Sequence, residues 1–269
     1  MRPAPPPSDP ALAGFAALDV GRAHLLVRRG YEEAAERLAD FERLLYTETV
    51  GGGRAAHPVI LLPGGERVVV RRYRRGGWVR HVNRALYFGG NRAFDELRAT
   101  ERARAAGVRT PVVVAAIERP ALVGYRAALA TLLVPGARDL AAWLGENASG
   151  EARRTVLREA GRQIGTMHAG GVAHPDVNLR NLLVAGGSGS GDGGSERAPA
   201  VYLLDFDRAE VTAEAVPNAR RERDLRRLAR SARKLAVAIG GEEWAAMKEG
   251  YGEGWPPELD LARPPTDAS

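Results

Sequence analysis

The sequence predicts an α+β protein of two lobes, in which a small antiparallel sheet with one main helix precedes a mainly helical half. Short β-branched runs separated by turn residues recur through residues 15–131. Long segments with the helical spacing of apolar residues dominate residues 132–255. The length of 269 residues is enough for two such lobes with a sizeable core.

The strands and helices of the first lobe, residues 15–131, follow from turn residues and periodicity. Five runs predict strands: 24–29, 59–62, 67–72, 109–118 (“RTPVVVAAIE”) and 125–134 (“YRAALATLLV”). The turn residues Pro63–Gly65 predict that the second and third runs form a hairpin. Periodicity predicts helices over 31–45 and 92–106, and Gly107 is expected to cap the C-terminal end of the second.

The second lobe, residues 132–255, is predicted to rest on three helices, over 139–144, 151–168 and 218–239. The inward face of the last helix is expected to carry Leu225, Leu228, Ala232 and Leu235. Two strands, “NLLV” and “VYLLDF”, flank a glycine- and serine-rich segment that predicts a flexible loop, residues 186–199. We therefore expect the two strands to pair across that loop.

Composition excludes several classes of site. The chain has no cysteine, which excludes disulfides and cysteine metal sites. No apolar run approaches the roughly 20 residues that span a bilayer, and the proline-rich start lacks the pattern of a signal peptide. Residues 1–14 are therefore predicted to be a disordered tail, residues 256–269 a C-terminal tail, and the default location cytoplasmic.

The net charge of +6 comes almost wholly from arginine, because the only lysines are Lys234 and Lys248. One interpretation is the codon usage of a GC-rich genome. The other is attraction to phosphate-bearing partners such as a nucleotide, a nucleic acid or an anionic membrane. Nucleic acid is the least favoured of these, because aromatic residues make up only 6% of the chain and no base-reading motif is present.

Polar residues crowd two segments that border predicted strands. “GVAHPDVNLRNLLV” spans residues 171–184, and “VYLLDFD” spans residues 201–207. A metal site, a hydrolytic site, a phosphoryl-transfer site or an ordinary polar loop would each account for one such segment. Phosphoryl transfer from ATP needs two groups that hold magnesium, a carboxylate that orients the acceptor hydroxyl, and cations beside the phosphates.

Both segments match the loops that protein-kinase-like folds use for this chemistry. His174 and Asp176 precede Asn181 with the spacing H-x-D-x-x-x-x-N. Asp205 and Asp207 end the next apolar strand as D-F-D, which departs from D-F-G only at the third residue. The two halves together favour phosphoryl transfer over the other interpretations.

These two motifs together resemble the lipopolysaccharide inner-core kinases, most of all those that phosphorylate 3-deoxy-D-manno-octulosonic acid (Kdo). The basic run 68–82, the helix and strand of 92–116 and the arginine-rich run 225–235 are also similar, so the resemblance covers roughly residues 50 to 250. It implies a two-lobed protein-kinase-like fold, with ATP and Mg²⁺ as cofactors. The implied acceptor is a sugar hydroxyl of Kdo–lipid A, at the cytoplasmic face of the inner membrane.

The motif positions assign candidate roles to the loop residues. Asp176 is the candidate base that orients the acceptor hydroxyl, and Asn181 and Asp205 are candidate magnesium ligands. Asp207 either adds charge to the metal site or caps the turn. Asn178 is a candidate catalytic residue, because the resemblance favours a contact with phosphate or acceptor over the alternative of bracing the loop. His174 and His168 are expected to be structural.

The lysine that binds ATP phosphates in protein kinases has no counterpart here, because no lysine precedes position 234. Arg71 and Arg72 are the candidates, and strand alternation puts them on opposite faces. We favour Arg71, because “VVVR” aligns with the usual V-A-I-K. Its expected helix partner is Glu96, with Glu101 as second choice. A glycine run is the candidate loop over the phosphates: Gly51, Gly52 and Gly53.

Two further alternatives stay open at this stage. The basic cluster is either a solvated surface or a docking face for lipid A phosphates and anionic headgroups; it comprises Arg71, Arg72, Arg74, Arg75, Arg80 and Arg84. The same chemistry fits a heptose, a protein or a small alcohol as acceptor. The missing lysine also fits a pseudokinase that binds nucleotide as a scaffold.

Overall fold

A computed structural model describes residues 2–3, 9–46, 48–51, 56–73, 92–122, 124–146, 150–186 and 198–262. The chain forms two compact units. The first comprises Met1–Glu101 and Pro111–Leu133, and the second comprises Arg102–Thr110 and Val134–Ser269.

The first unit is built on an antiparallel sheet of eight strands within the described residues, more than the small sheet that the sequence predicts. In chain order the strands are β1 (Arg2–Pro3), β2 (Phe15–Val20), β3 (Ala23–Arg28), β4 (Glu48–Val50), β5 (His57–Leu61), β6 (Arg67–Arg72), β7 (Val113–Pro120) and β8 (Tyr125–Leu132). Their order across the sheet is β1-β2-β3-β7-β8-β6-β5-β4. The predicted β5–β6 hairpin is confirmed, and Gly65 supplies the left-handed backbone of its turn, with φ 88°.

Helices cover both faces of this sheet. α1 (Ala35–Ala39) packs on the face that buries Val68 and Val70, and α2 (Arg92–Ala105) packs on the opposite face. The predicted helix over 31–45 is wrong in extent. A 3₁₀ turn (Glu32–Ala34) precedes α1, and the helix ends before Asp40, because the chain turns there to bury Phe41. Gly107 has φ 94°, which confirms the predicted cap after α2.

Parts of both predicted tails are ordered. Pro10–Leu12 form a 3₁₀ helix, Asp9 accepts a 2.9 Å hydrogen bond from the Ala11 amide, and the Leu12 side chain is buried. Positions 1 and 4–8 of that tail lie outside the described residues. At the other end Leu259 and Leu261 are buried, while positions 263–269 are not described.

The second unit combines helices with short strands. Its helices are α3 (Leu140–Glu146), α4 (Gly150–Ala169), α5 (Asn218–Lys234) and α6 (Gly241–Tyr251). Its strands are β9 (Arg138–Asp139), β10 (Val172–Ala173), β11 (Leu182–Ala185), β12 (Ala200–Leu203) and β13 (Glu210–Val211). The predicted pairing of “NLLV” with “VYLLDF” is confirmed, because β11 and β12 are antiparallel neighbours. Most of the predicted flexible loop, residues 187–197, lies outside the described residues.

Helix α6 is absent from the sequence prediction and packs directly on α4. The backbones of the two helices are in direct contact. A Cβ on Gly161 would lie 2.0 Å from the Met247 carbonyl oxygen, and one on Gly165 would lie 2.4 Å from the Tyr251 carbonyl oxygen. Glycines therefore set the distance between the two helices.

Helix α5 ends earlier than predicted. Leu225, Leu228 and Ala232 are buried as expected, but Leu235 follows the helix and is only half-buried. The chain leaves the helix there because Ala236 adopts a left-handed backbone, with φ 55°. In the part of the chain that the structure describes, no helix is both long and apolar enough to cross a membrane.

Candidate active site

The loop that follows α4 and β10 is anchored through His174. The Nε2 of this histidine lies 2.9 Å from the Leu204 carbonyl oxygen, and its ring packs against Phe206 at 5.1 Å between centroids. A carbonyl oxygen only accepts, so Nε2 carries the hydrogen. The structural role predicted for His174 is confirmed, and it ties the Asp176 loop to the segment that carries Asp205.

A buried carboxylate on α5 anchors the same loop. Oδ2 of Asp224, on α5, accepts a 2.7 Å hydrogen bond from the His174 amide and lies 3.3 Å from Nε2 of His168. Nδ1 of His168 is 2.7 Å from the Tyr251 hydroxyl. Asp224 and His168 are fully buried, so three helices meet the loop through this chain of hydrogen bonds.

The charge states of this chain of hydrogen bonds follow from burial. Desolvation lowers the pKa of His168 below its ordinary value, although Asp224 opposes the shift. Burial raises the pKa of Tyr251 to about 12, so its hydroxyl keeps its proton and donates it to Nδ1. The imidazole of His168 then donates from Nε2 to Asp224, which confirms the structural role expected for this histidine.

The candidate base, Asp176, lies at the surface of the second unit beside an arginine. Its Oδ1 is 2.5 Å from a terminal nitrogen of Arg227, on α5, and its side chain is 42% exposed. Arg227 therefore holds Oδ1 of the carboxylate, and the exposed part of the group is accessible to an acceptor. Arg227 lies in the arginine-rich run 225–235, and the sequence assigns it no role of its own.

Two asparagines shape the rest of the loop. Asn178 accepts a hydrogen bond from the Arg180 amide at 2.9 Å and donates to the Asp176 carbonyl oxygen at 2.8 Å. Both ends of its amide are thus used within the loop, and this geometry favours the bracing role over direct contact with the acceptor. Asn181 donates its Nδ2 to the same carbonyl at 3.0 Å, and its Oδ1 accepts no hydrogen bond within the described residues, so it is available as a ligand.

The D-F-D segment lies beside Asn181. Leu204, the residue before Asp205, donates its amide hydrogen to the Asn181 carbonyl oxygen at 2.9 Å. This hydrogen bond joins the segments that carry the two candidate ligands. Asp205 has φ 64°, a left-handed conformation that is uncommon outside glycine and that recurs at functional sites. Asp207 lies in the turn that the Ala209 amide closes onto Phe206.

The donor set of this loop pair suits magnesium better than a softer metal. Magnesium takes one or two protein carboxylates and completes its shell with water and phosphate oxygens. Within the described ranges, no three His, Cys, Asp or Glu side chains are clustered to hold a metal. Asn181, Asp205 and Asp207 offer one amide oxygen and two carboxylates, which fits a cation that is shared with a nucleotide.

The candidate phosphate-binding arginine lies in the first unit, on β6. Arg71 forms an ion pair with Glu96 of α2, whose side chain is 1% exposed, and Tyr73 also donates to that carboxylate. The Arg71 guanidinium carbon lies 4.8 Å from the centre of the Tyr73 ring. The structure thus brings together the two residues that the sequence paired, and adds Tyr73.

The other candidates of this half are placed as follows. Arg72 points to the opposite face, where its Nε donates to the Phe41 carbonyl oxygen at 2.8 Å. Glu101, the second choice as helix partner, pairs with Arg28 at 2.6 Å. Gly51 follows β4 with φ 95°. The remaining predicted positions lie outside the described residues: Gly52, Gly53, Arg74, Arg75, Arg80 and Arg84.

Asp224 is the main residue of the site that sequence reasoning missed. Its position on α5 and the chemistry of a buried carboxylate are the signals that could have identified it. It precedes Leu225 and lies four residues before Leu228, so it belongs to the buried stripe of α5. A carboxylate on such a stripe needs partners, and here the loop amide of His174 is one of them.

Comparison with known proteins identifies relatives along most of the chain. The family model of the lipopolysaccharide kinase (Kdo/WaaP) family matches residues 62–251. A 3-deoxy-D-manno-octulosonic acid kinase of Xanthomonas oryzae pv. oryzae (strain PXO99A) is 34% identical over 198 residues, 71% of this chain and 72% of that protein. One of Xylella fastidiosa (strain 9a5c) is 32% identical over 250 residues, 84% of this chain and 92% of that protein.

A solved structure shows the same fold. The structure described as WaaP in complex with acyl carrier protein matches with a TM-score of 0.58 and covers 84% of this chain and 88% of that chain. Its sequence identity is 20%, so the likeness concerns the fold. It confirms the predicted protein-kinase-like α+β fold.

Proposed function

This chain belongs to the lipopolysaccharide kinase (Kdo/WaaP) family, and we propose that it transfers the γ-phosphoryl group of ATP to a hydroxyl of a Kdo sugar in Kdo–lipid A. The observation that carries the proposal is the joining of the two motif loops. Asn181 is hydrogen-bonded to the residue that precedes Asp205, and the accessible Asp176 lies in the same loop.

Asp176 is the proposed base. The acceptor oxygen forms a bond to the γ-phosphorus while the bond from that phosphorus to the β,γ-bridging oxygen breaks, and the hydroxyl proton passes to the Asp176 carboxylate. The proton leaves late in a loose transition state, so orientation matters more than basicity. Arg227 contributes by fixing one carboxylate oxygen, and Asn178 by bracing the backbone on both sides.

Asn181 and Asp205 are the proposed magnesium ligands, with Asp207 adding negative charge beside them. When bound, Mg²⁺ supplies charge neutralisation for the phosphates and fixes their orientation. Two observations support these ligands: Oδ1 of Asn181 accepts no hydrogen bond within the described ranges, and Asp205 has a left-handed backbone.

Arg71 is the proposed phosphate-binding cation, with Glu96 as its positioning partner. Arginine stays charged and can bind two phosphate oxygens at once, so it can replace the usual lysine. Glu96 and Tyr73 fix the guanidinium from the protein side. Gly51 is the proposed start of the loop at the phosphates, and Gly52 and Gly53, which the sequence assigns to the same loop, lie outside the described residues.

The proposed acceptor places the enzyme at the cytoplasmic face of the inner membrane as a peripheral protein. Kdo–lipid A is anchored by its acyl chains, so its sugar must be reached at a bilayer surface. The net charge of +6 favours an anionic surface of this kind.

Incubation of the purified protein with magnesium-ATP and Kdo–lipid A tests the proposal. We expect a phosphorylated Kdo–lipid A, identified by mass spectrometry. A heptose, a peptide or a small alcohol phosphorylated in its place would refute the acceptor. Tight ATP binding with no turnover on any of these acceptors would indicate the scaffold that the missing lysine also allows.

A further inference from the structure

A pocket of about 360 Å³ lies at one end of the sheet in the first unit, beside the turn that joins β7 and β8. Its lining carries four arginines and one acidic residue, so positive charge is in clear excess. These residues are Arg22, Glu42, Arg43, Arg119 and Arg126. None of them belongs to the candidate catalytic site.

The arginines of this pocket are only partly neutralised. Arg119 is paired with Asp40 at 2.9 Å, and Arg126 is paired with Glu42. Arg22 and Arg43 are exposed, and no side chain among the described residues pairs with either. The pocket therefore keeps two unpaired guanidinium groups.

The two unpaired guanidinium groups are donors that a phosphate can satisfy. A phosphate provides several acceptor oxygens, and an arginine can bind two of them at once. Nε of Arg126 also lacks a hydrogen-bond acceptor in the part of the chain that the structure describes, but it has no accessible surface. A bound phosphate therefore contacts Arg22 and Arg43, the exposed arginines of the lining.

One exposed leucine lines the pocket, and a second is close in sequence to one of its arginines. Leu122 lines the pocket and is fully exposed at the tip of the β7–β8 turn. Leu45 is 88% exposed and follows Arg43 by two residues, so their Cα atoms lie within about 7 Å. A single exposed leucine is ordinary, but Leu122 beside the arginines of the pocket lining matches the boundary between headgroups and acyl chains of a bilayer.

We propose that this pocket binds the phosphate of an anionic lipid headgroup and that the β7–β8 turn inserts Leu122 into the surface of the bilayer. The pocket lining shares no residue with the basic cluster of the sequence analysis, whose described members Arg71 and Arg72 are engaged by Glu96 and by the Phe41 carbonyl. Its use in bringing the enzyme to a lipid-borne sugar rests on the proposed function, but the binding itself does not.

Co-sedimentation with lipid vesicles tests the docking surface. The full chain is mixed with phosphatidylcholine vesicles, or with vesicles that also contain phosphatidylglycerol, without ATP and without any Kdo lipid. We expect binding only to the anionic vesicles, weakened by salt. Because neither substrate is present, this result is independent of whether the chain is a Kdo kinase.

Substitutions identify the surface. Arg22→Gln/Arg43→Gln is expected to lower the partition coefficient on anionic vesicles about 30-fold, which corresponds to about 1 kcal/mol per arginine at the surface. Arg29→Gln/Arg102→Gln removes the same charge from exposed positions away from the pocket and is expected to have a much smaller effect. Leu122→Ser, which keeps every charge, is expected to weaken binding about tenfold.

Three results would overturn the proposal. The first is an equal loss in the two double variants, and the second is equal binding to neutral and anionic vesicles. The third is a thermal shift with inorganic phosphate that needs Arg22 and Arg43, in a protein that binds no vesicles. That result would assign the pocket to a soluble phosphate compound. All substituted side chains are exposed, so circular dichroism is expected to show wild-type folding.

Discussion

Replacing Asp224 by alanine removes the acceptor that ties α5 to the candidate catalytic loop. Two buried donors lose their partner, the His174 amide at 2.7 Å and Nε2 of His168 at 3.3 Å. A buried unpaired donor costs about 1–3 kcal/mol, so we expect a loss of about 2–6 kcal/mol in the free energy of unfolding. That is a large share of the 5–15 kcal/mol that typically stabilises a protein.

Asp224→Asn separates the loss of charge from the loss of geometry. Its amide oxygen can take the place of Oδ2, and its nitrogen then stands at the position of Oδ1, which has no hydrogen-bond partner among the described residues and lies 4.0 Å from Nε of Arg223. Two charge-assisted hydrogen bonds then become neutral ones, which costs about 1 kcal/mol each. We therefore expect Asn to fall between wild type and Ala in stability and in kcat.

Urea unfolding and hydrogen exchange of the segment 171–178 measure this effect. We expect faster exchange of the His174 amide in Asp224→Ala under conditions where the protein stays folded. The control is Glu222→Ala on the same helix, which removes only a surface pair with Arg226 and should change stability by less than about 1 kcal/mol. Equal losses in the two alanine variants would refute the anchoring role of Asp224.

Three further predictions concern other parts of the molecule. Gly165→Ala is expected to lower the melting temperature markedly, because its Cβ would lie 2.4 Å from the Tyr251 carbonyl oxygen. The control is Gly145→Ala in α3, whose Cβ meets no atom within 4 Å and which should be neutral or stabilising. Burial raises the pKa of Glu118 to about 7, so the wild type loses stability as the pH rises from about 4.5 to 7. Glu118→Gln cannot ionise and should therefore gain stability relative to the wild type in that window. Thermal unfolding with the same pH profile in both proteins would contradict this. Arg71→Ala is expected to raise the KM for ATP at least tenfold in steady-state kinetics and Arg71→Lys less, while Arg72→Gln, on the other face, should stay within about twofold; a larger effect of Arg72 would reverse the assignment.

The fold class and the two motif loops are predictable because their information is local. The spacing from Asp176 to Asn181 and the apolar run before Asp205 can be read from the sequence without knowledge of the tertiary packing. Alternation along β6 also places Arg71 and Arg72 on opposite faces, and Arg71 lies against Glu96.

The missed features depend on tertiary contacts. α6 lacks a wide apolar stripe because glycines of α4 bring the two backbones together, so periodicity gives little signal. Asp224 and Arg227 lie in a helix crowded with arginines, where a charged residue looks like solvated surface. In the fold their partners, the His174 amide and the Asp176 carboxylate, distinguish them from the surface arginines of α5.

The most direct test of the central claim is a mass spectrum of Kdo–lipid A after incubation with magnesium-ATP and either the wild type or Asp176→Asn. Asparagine keeps the size of the side chain but removes the proton acceptor. We predict one or more phosphates on the Kdo region with the wild type, and a rate at least a hundredfold lower with Asp176→Asn, whose ATP affinity is retained. Wild-type turnover in the variant, or an unmodified Kdo region with the wild type, would contradict the account.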